Sequence, residues 1–296
     1  MSPTTLRTYK SLLANWALPA LGDRAIGSIQ TSDLDDLYRG LSKRIHLSAA
    51  TVRQVHAIIR RAFRQAILWG WITTNPATNA TPPRQAKTDL TPPNPMQVGE
   101  LINAAAKRNP DVGNFIHIAA KTGARRGEIC AIRWRNIDTK LMKLTIESAI
   151  VEVPGGIEER RIKTRTSWRI ALDVDTLKVF ESQRKFAQER AALINAKVSD
   201  DAFVFSHEPD GTIAWTPTSM TKHFVALRNS LGYEDMRLHD LRHFAATRLM
   251  AERVPVRTVS GRLGHATPST TLSVYSHFVE TIDQAAAGIL GRIIAE

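Results

Sequence analysis

The chain is 296 residues long, enough for two domains, because single hydrophobic cores stop growing at about 250 to 300 residues. Forty Lys and Arg against 28 Asp and Glu give a net charge of +12, which favours a polyanionic partner, although a basic enzyme with another substrate stays open on charge alone. Cys130 is the only cysteine, so an intramolecular disulfide is excluded and a reducing, cytoplasmic location is expected. No run of about 18 apolar residues and no leader pattern occurs, so neither a membrane span nor a signal peptide is predicted.

Apolar residues at helical spacing predict a small helical domain over residues 1–81. The first helix begins near Pro3 and is expected to end between Pro19 and Gly22. Thr31 to Asp33 can cap a second, short helix that holds Leu34, Leu37 and Leu41. A third helix is predicted from Ser48 to about Trp69.

The third helix has two chemically different sides. Its predicted apolar side consists of Val52, Val55, Ile59, Ala62, Phe63 and Ala66. Its other side carries a basic stripe of Arg53, His56, Arg60 and Arg64. Such a stripe is often only a solvated face. This one contains no acid, and residues 1–81 hold ten Lys and Arg against four Asp, a net +6, so DNA contact is the preferred interpretation.

A proline-rich, polar segment over residues 82–95 predicts an extended linker to a second domain, residues 96–296. That domain is predicted to be mainly α with a small antiparallel β-sheet. Its expected elements are helices over Met96–Ala106, Val112–Lys121 and Arg125–Arg133, extended segments over Leu144–Val153 and Glu158–Leu172, a long helix over Val174–Ala196, a short strand over Phe203–Phe205, and further helices to the end.

Several chemistries lack their motifs. The chain has no GxGxxG after a strand, no GxxxxGK[ST] and no GxSxG, and one cysteine cannot build a thiolate zinc site. His239 and His243 are spaced to chelate a metal, but no HExxH glutamate accompanies them. We therefore expect no metal and no cofactor. Cationic and proton-transfer groups with one phenol remain: Arg125 in TGARRGE, Lys163, His239 and Arg242 in HDLRH, His265 in LGH, and Tyr275.

These motifs resemble those of the tyrosine recombinases, the phage integrase family. The likeness covers residues 95–296 and is specific, because four separated motifs occur in the family's order. The helical domain over residues 1–81 is similar to the family's core-binding domain in pattern and position only. Three positions depart from the family: Ile162 stands where proline often precedes the lysine, and Cys130 and Ile132 stand where leucine is usual.

The resemblance implies a phosphate clamp made by Arg125 and Arg242. A planar guanidinium binds paired oxygens in a fork that lysine cannot reproduce, so two arginines suit the non-bridging oxygens of a pentavalent phosphate. Glu128 is expected to support Arg125 as its ion-pair partner. Lys163 would protonate the departing 5′ oxygen, while Lys140 and Lys143 near the same sheet are alternatives for that role.

The resemblance also implies that Tyr275 is the nucleophile. A phenol with a pKa of about 10 needs cationic surroundings and a proton acceptor. His239 is the expected base, and His265 the expected donor to the phosphate. His243 completes the motif with either a structural or a catalytic role. The product would be a 3′-phosphotyrosyl link, which a different 5′-hydroxyl reverses without metal or ATP.

Two further matters stay open on the sequence. The stripe formed by Ile282, Ala286, Ile289 and Ile293 within Val279–Glu296 suits an exchange helix that docks on a neighbouring subunit, or packing on its own domain.

The implied partners are double-stranded DNA at attachment core sites, a homotetramer on that DNA, and accessory DNA-bending or directionality proteins. The alternatives to an integrase are a type IB topoisomerase-like enzyme and a non-catalytic DNA-binding regulator on the same fold.

Overall fold

The computed structural model describes residues 3–43, 45–85, 92–162, 167–265, 267 and 272. The chain divides into two compact units, Met1–Asp89 and Leu90–Glu296, and each has its own hydrophobic core. Within the described part of the chain, no helix has both the length and the apolarity needed to cross a membrane.

The described residues of the first unit form helices and turns. Its elements are α1 (Pro3–Leu12), a π-helical turn (Leu13–Ala17), α2 (Leu18–Leu21), α3 (Thr31–Lys43) and α4 (Ala49–Leu68), with short 3₁₀ turns at Ile26–Ser28 and Pro76–Thr78. The predicted second and third helices are confirmed. The first helix continues through a π-helical turn and past Pro19 to Leu21, where Gly22 follows.

Helix α4 begins at a side-chain cap, because Ser48 Oγ accepts the backbone N–H of Thr51 at 3.2 Å. Most of the predicted apolar side is buried, but Ala62 is exposed and Ile58 is buried instead. The placement of Ala62 was therefore wrong. Burying an isoleucine removes much more apolar area from water than burying an alanine, so the helix turns its Ile58 side inward.

The second unit combines seven helices with five strands among its described residues. The helices are α5 (Pro95–Arg108), α6 (Pro110–Thr122), α7 (Arg126–Cys130), α8 (Val174–Ala192), α9 (Pro217–Asn229), α10 (Asp240–Ala251) and α11 (Val256–Leu263). Helices α5, α6 and α8 confirm the predicted spacing. The helix predicted over Arg125–Arg133 is shorter, since α7 ends at Cys130 and a 3₁₀ turn follows at Trp134–Asn136.

The strands form two small antiparallel sheets rather than the one predicted. They are β1 (Ile137–Asp138), β2 (Lys143–Ile146), β3 (Ser148–Val153), β4 (Gly156–Arg161) and β5 (Trp168–Ala171). One sheet has the order β1-β2-β5 and the other pairs β3 with β4. The extended segment predicted over Leu144–Val153 is thus divided at Glu147, whose carboxylate accepts a hydrogen bond from Asn136 at 3.0 Å.

Residues 203–205 are not a regular strand, contrary to the prediction. Phe203 makes only an isolated bridge with Arg133. Phe205 is fully buried and packs edge-to-face against Phe115 with ring centroids 5.1 Å apart. The apolar run therefore fills the core of the second unit without extending a sheet. Cys130 lies in the same core, and burial raises the pKa of its thiol to about 12.

Candidate active site

The turn after α6 places Arg125. Gly123 ends the helix with φ 66°, a left-handed conformation that a residue with a Cβ adopts only with strain. Thr122 Oγ1 then accepts the backbone N–H of Ala124 at 3.2 Å. Arg125 follows in extended conformation, directly before α7. The TGAR segment is therefore a fixed connection between two helices.

The Glu128 carboxylate orients the Arg125 side chain. It accepts the backbone N–H of Arg125 and the guanidinium Nη1, both at 2.7 Å. Glu128 is 4% exposed, whereas the Arg125 side chain is 46% exposed. A buried acid thus holds one edge of a guanidinium that is open to a ligand. The predicted ion pair between these residues is present.

Arg242 reaches the same turn from the first turn of α10. It is 4% exposed, and its Nη1 donates to the carbonyl oxygen of Gly123 at 2.7 Å. The absence of a side chain at Gly123 also lets Leu263 of α11 pack against this turn, because a Cβ there would lie 2.5 Å from Leu263 Cδ2. Arg125, the last residue of the three-residue turn, and Arg242, from α10, are therefore both fixed at that turn.

The motif histidines lie around these arginines. His239 immediately precedes α10 and stands at the N-terminal end of that helix. His243 is one turn further on, and the two imidazoles are perpendicular with centroids 5.0 Å apart. Burial, followed by the charges of His243 and Arg242, lowers the pKa of His239 to about 4. Burial, partly opposed by Asp240, also lowers the pKa of His243.

His265 follows Gly264, which ends α11 with φ 65°. Burial, followed by the charges of Arg242 and Arg125, lowers the pKa of His265 to about 4. Those charges act on His265 only because α11 brings it close to both arginines. At neutral pH both His239 and His265 are uncharged, so each ring has one nitrogen that donates and one that accepts.

A cavity of about 490 Å³ opens at this turn. Its wall is formed by Phe115, Ala119, Ala124, Arg125, Arg126, Ile129, Thr221, Arg237, Leu238, His239 and Arg242. The polar part of the wall is dominated by arginine, and this suits an anionic ligand. Among the residues that the structure describes, no three His, Cys, Asp or Glu side chains are grouped as metal ligands would be.

The structure gathers Arg125, Glu128, His239, Arg242, His243 and His265 in one region. Lys163 and Tyr275 lie outside the described residues, as do the predicted exchange helix Val279–Glu296 and its apolar stripe.

Two cavity arginines were missed by the sequence reasoning. Arg126 Nη1 donates to Thr221 Oγ1 at 2.5 Å, and Arg237 pairs with the buried Asp240 at 3.0 Å. The doubled arginine of TGARRGE is a signal for the first. The i, i+3 spacing of Arg237 and Asp240 is a signal for the second.

A second basic surface lies in the first unit, along α4. Arg53, Arg60 and Arg64 are exposed as predicted. A groove of about 950 Å³ borders Arg60 and Arg64 and also Arg61, which the predicted stripe omitted. His56 is half-buried, and its Nδ1 lies 3.1 Å from the hydroxyl oxygen of Tyr38. His56 also lines this groove, but its ring is held by the contact with Tyr38.

Comparison with known proteins defines the class of this chain. The family model described as "Phage integrase family" matches residues 94–281. A tyrosine recombinase XerC-like protein of Caldanaerobacter subterraneus subsp. tengcongensis is 24% identical over 290 residues, covering 92% of this chain and 72% of that protein. The ICEBs1 integrase of Bacillus subtilis is 23% identical over 232 residues, covering 78% and 62%.

Solved structures share the fold. The Tn1549 transposon integrase in complex with transposon right end DNA aligns with a TM-score of 0.82 at 19% identity, covering 97% of this chain and 95% of that one. A lambda integrase dimer bound to a COC′ core site aligns with a TM-score of 0.66 at 19% identity, covering 91% and 90%. The fold and the motifs define a tyrosine recombinase, an enzyme that cleaves and rejoins DNA strands. Because the family model covers more than half of the chain, this chain belongs to the phage integrase family.

Proposed function

We propose that this recombinase cleaves duplex DNA by attack of the Tyr275 hydroxyl on a phosphodiester, and that the second unit provides the groups for that step. The phenolic oxygen bonds to phosphorus, the bond to the 5′ oxygen breaks, and a 3′-phosphotyrosyl link results. Attack by a different 5′-hydroxyl reverses the step and joins the new strand. The reaction conserves the number of phosphoester bonds, so it requires no energy source.

The observation that supports this most is the meeting of Arg125 and Arg242 at the Gly123 turn. Glu128 holds Arg125 at 2.7 Å and the Gly123 carbonyl holds Arg242 at 2.7 Å, so both guanidiniums are oriented before a ligand arrives. Charge on the non-bridging oxygens grows in the pentavalent state. Preorganised donors at such a position contribute about 3 to 4 kcal/mol each.

Two proton transfers and one hydrogen bond to the phosphate are assigned to three groups. His239 accepts the phenolic proton of Tyr275, and His265 donates a hydrogen bond to a non-bridging oxygen. Both imidazoles are neutral at pH 7 in the chain alone, since each has a pKa of about 4. A bound phosphodiester adds negative charge beside them and raises their pKa, which improves His239 as a base. Lys163 protonates the departing 5′ oxygen.

The first unit is proposed to hold the duplex as a core-binding domain. Arg53, Arg60 and Arg64 are exposed on one side of α4, and Arg61 extends the positive surface along the groove. Exposed arginines of this kind bind phosphates and set register, without reading sequence by themselves. His56 adds less, because its ring is turned toward Tyr38.

The assembly is proposed by analogy with structural neighbours. Lambda integrase has been solved as a dimer on a core site and as a tetramer bound to a Holliday junction. We infer that this chain also acts as a homotetramer on paired attachment sites, with Val279–Glu296 docking on a neighbouring subunit. Accessory DNA-bending or directionality proteins would select integration or excision. A reaction on bacterial chromosomal DNA takes place in the cytoplasm, at the nucleoid.

A nicked half-site tests the chemistry. Cleavage near the nick releases a short fragment, so the covalent intermediate accumulates as an SDS-resistant protein–DNA adduct. Tyr275→Phe is expected to abolish the adduct while half-site binding persists. Tyr233→Phe is the matched control, because the Tyr233 hydroxyl contacts Glu100 and is assigned no part in the reaction.

The outcomes separate the alternatives. An adduct that survives in Tyr275→Phe would identify another nucleophile and overturn the proposal. Relaxation of a supercoiled plasmid that lacks any attachment site would indicate topoisomerase-like activity. No adduct from the wild-type chain on any attachment sequence of its own element would favour a DNA-binding regulator.

A further inference from the structure

Arg262 on α11 connects three separate elements of the second unit. Its Nη2 donates to the carbonyl oxygen of Lys121 at 2.9 Å, and its Nη1 donates to the carbonyl oxygen of Ala171 at 3.0 Å. Lys121 belongs to the last turn of α6, and Ala171 is the last residue of β5. One guanidinium therefore bridges a helix end and a strand end that are far apart in sequence.

The Lys121 carbonyl is a favourable acceptor for a cation. The last four carbonyls of an α-helix have no partner within the helix, and the negative end of the helix dipole lies there. Arg262 is half-buried, and this partial desolvation lowers the pKa of its guanidinium. An arginine suits the position because its planar fork donates in two fixed directions at once.

Apolar packing beside Arg262 reinforces the same connection. Leu263 fits against Gly123, where a Cβ would approach its Cδ2 to 2.5 Å. Gly264 fits against the indole of Trp168 on β5, where a Cβ would approach the ring to 2.5 Å. Residues 262–264 thus contact the end of α6 and both ends of β5. His265 is the next residue.

The connected segments carry proposed site residues on both sides. Arg125 comes four residues after Lys121, and His265 comes three residues after Arg262. We propose that Arg262 is a positioning residue, which holds the turn bearing His265 against the turn bearing Arg125 through its hydrogen bonds to Lys121 and Ala171. This inference rests on the function proposed above.

The two hydrogen bonds predict a specific kinetic defect. Removing them in Arg262→Ala lets the end of α11 shift relative to Arg125, and a displacement of about 1 Å can cost up to about 100-fold in rate. We expect the single-turnover rate of adduct formation at saturating nicked half-site to fall about 10- to 100-fold. Half-site affinity is expected to stay within about threefold, because the DNA-binding surface is unchanged.

Conservative variants distinguish positioning from bulk packing. An ammonium can reach one of the two carbonyls but cannot fork between them, so Arg262→Lys should restore part of the rate. Arg262→Gln offers one amide donor group without the charge and should fall between lysine and alanine. Arg248→Ala is the matched control, because Arg248 is an exposed arginine of α10 that lies 3.9 Å from Glu252. This variant should keep the wild-type rate.

A double-mutant cycle with His265 tests the route of the effect. If Arg262 acts by placing His265, then Arg262→Ala should cost much less in a His265→Ala background than in the wild-type chain. Equal costs in both backgrounds would overturn the inference, and so would a wild-type rate for Arg262→Ala. If Arg262→Ala does not fold, as judged by thermal unfolding, the same cycle with Arg262→Gln decides the matter.

This result is separable from a failure of the proposed chemistry. A wild-type rate for His265→Ala, or a wild-type chain without any adduct, would overturn the function proposed for the site. Loss of rate in His265→Ala together with an unaffected Arg262→Ala would overturn the positioning role alone.

Discussion

The arginines of the two units of this recombinase differ in how firmly the protein holds their guanidinium groups. In the second unit, Arg242 is 4% exposed and Arg125 is held by a buried carboxylate, so their directions are set by the protein. In the first unit, Arg60 and Arg64 are exposed along one helix and flank an open groove. Oriented guanidiniums suit a single phosphate in a defined geometry, whereas exposed guanidiniums suit many phosphates at low specificity.

The largest effect is expected at Arg242. In Arg242→Lys we expect adduct formation on a nicked half-site to fall by about 100- to 1,000-fold, because an ammonium cannot bind two oxygens and the Gly123 carbonyl together. Half-site affinity should change little. The measurement is single-turnover cleavage with a parallel gel-shift titration.

Arg248→Lys is the control for exchanging an arginine on α10, since Arg248 lies on the exposed side of that helix. A loss of half-site affinity in Arg242→Lys with an unchanged rate at saturating DNA would mean that Arg242 binds DNA uniformly and is not directed at the reacting phosphate.

The opposite pattern is expected in the first unit. The double variant Arg60→Ala, Arg64→Ala should weaken half-site binding for every sequence and reduce the slope of log affinity against log salt by about 1 for each phosphate that the protein no longer neutralises. The rate at saturating DNA should not change. Binding isotherms at several salt concentrations measure the slope.

Arg39→Ala is the matched control in the same unit, because Arg39 is exposed but already paired with Asp36 at 2.8 Å. If the salt slope falls as much in Arg39→Ala as in the double variant, the groove along α4 has no special part in binding.

The two regions also differ in how far the sequence could predict them. The spacing of apolar residues was sufficient to predict helices α3, α4 and α6, where bulky apolar residues recur on one side. The motifs were sufficient to predict that Arg125, Glu128, His239 and Arg242 belong together. The apolar alternation of residues 144–153 did not show the division at Glu147, because both sheets require the same alternation.

Hydrogen bonds from side chains to distant backbone carbonyls could not be predicted from the sequence. Arg262 binds carbonyl oxygens 141 and 91 residues away, and every residue offers such an oxygen. Likewise, only the fold shows that His56 faces Tyr38 while its arginine neighbours face outward. Local pattern determines which side of a helix is polar, but tertiary packing determines which polar side chains are already engaged.

Partial desolvation of His239 and His265 gives the second unit a pH dependence that the exposed arginines cannot give the first. His239 and His265 have folded-state pKa values of about 4 against an ordinary value of about 6.5. Between these values the unfolded chain binds more protons, so stability is complete above about pH 6.5 and is lost as pH falls toward 4. After a discount for partial exposure, we expect a loss on the order of 1 kcal/mol for each histidine at pH 5.

Urea unfolding of the second unit at pH 7 and pH 5 measures this loss. In His265→Asn the difference between the two pH values should shrink, because one titrating group is absent. An unchanged difference would show that other groups control the acid sensitivity.

The smallest effect is expected at His56, which lies on the same helix as the exposed Arg60 and Arg64. His56→Ala removes the hydrogen bond to Tyr38 and an edge-to-face ring contact with centroids 5.5 Å apart. We expect the first unit to lose about 1 kcal/mol of unfolding free energy, with little change in the salt slope of DNA binding. Tyr38→Phe should reproduce most of the stability loss and leave binding unchanged. A salt slope that falls in His56→Ala but not in Tyr38→Phe would instead place His56 among the phosphate-binding residues, beside Arg60.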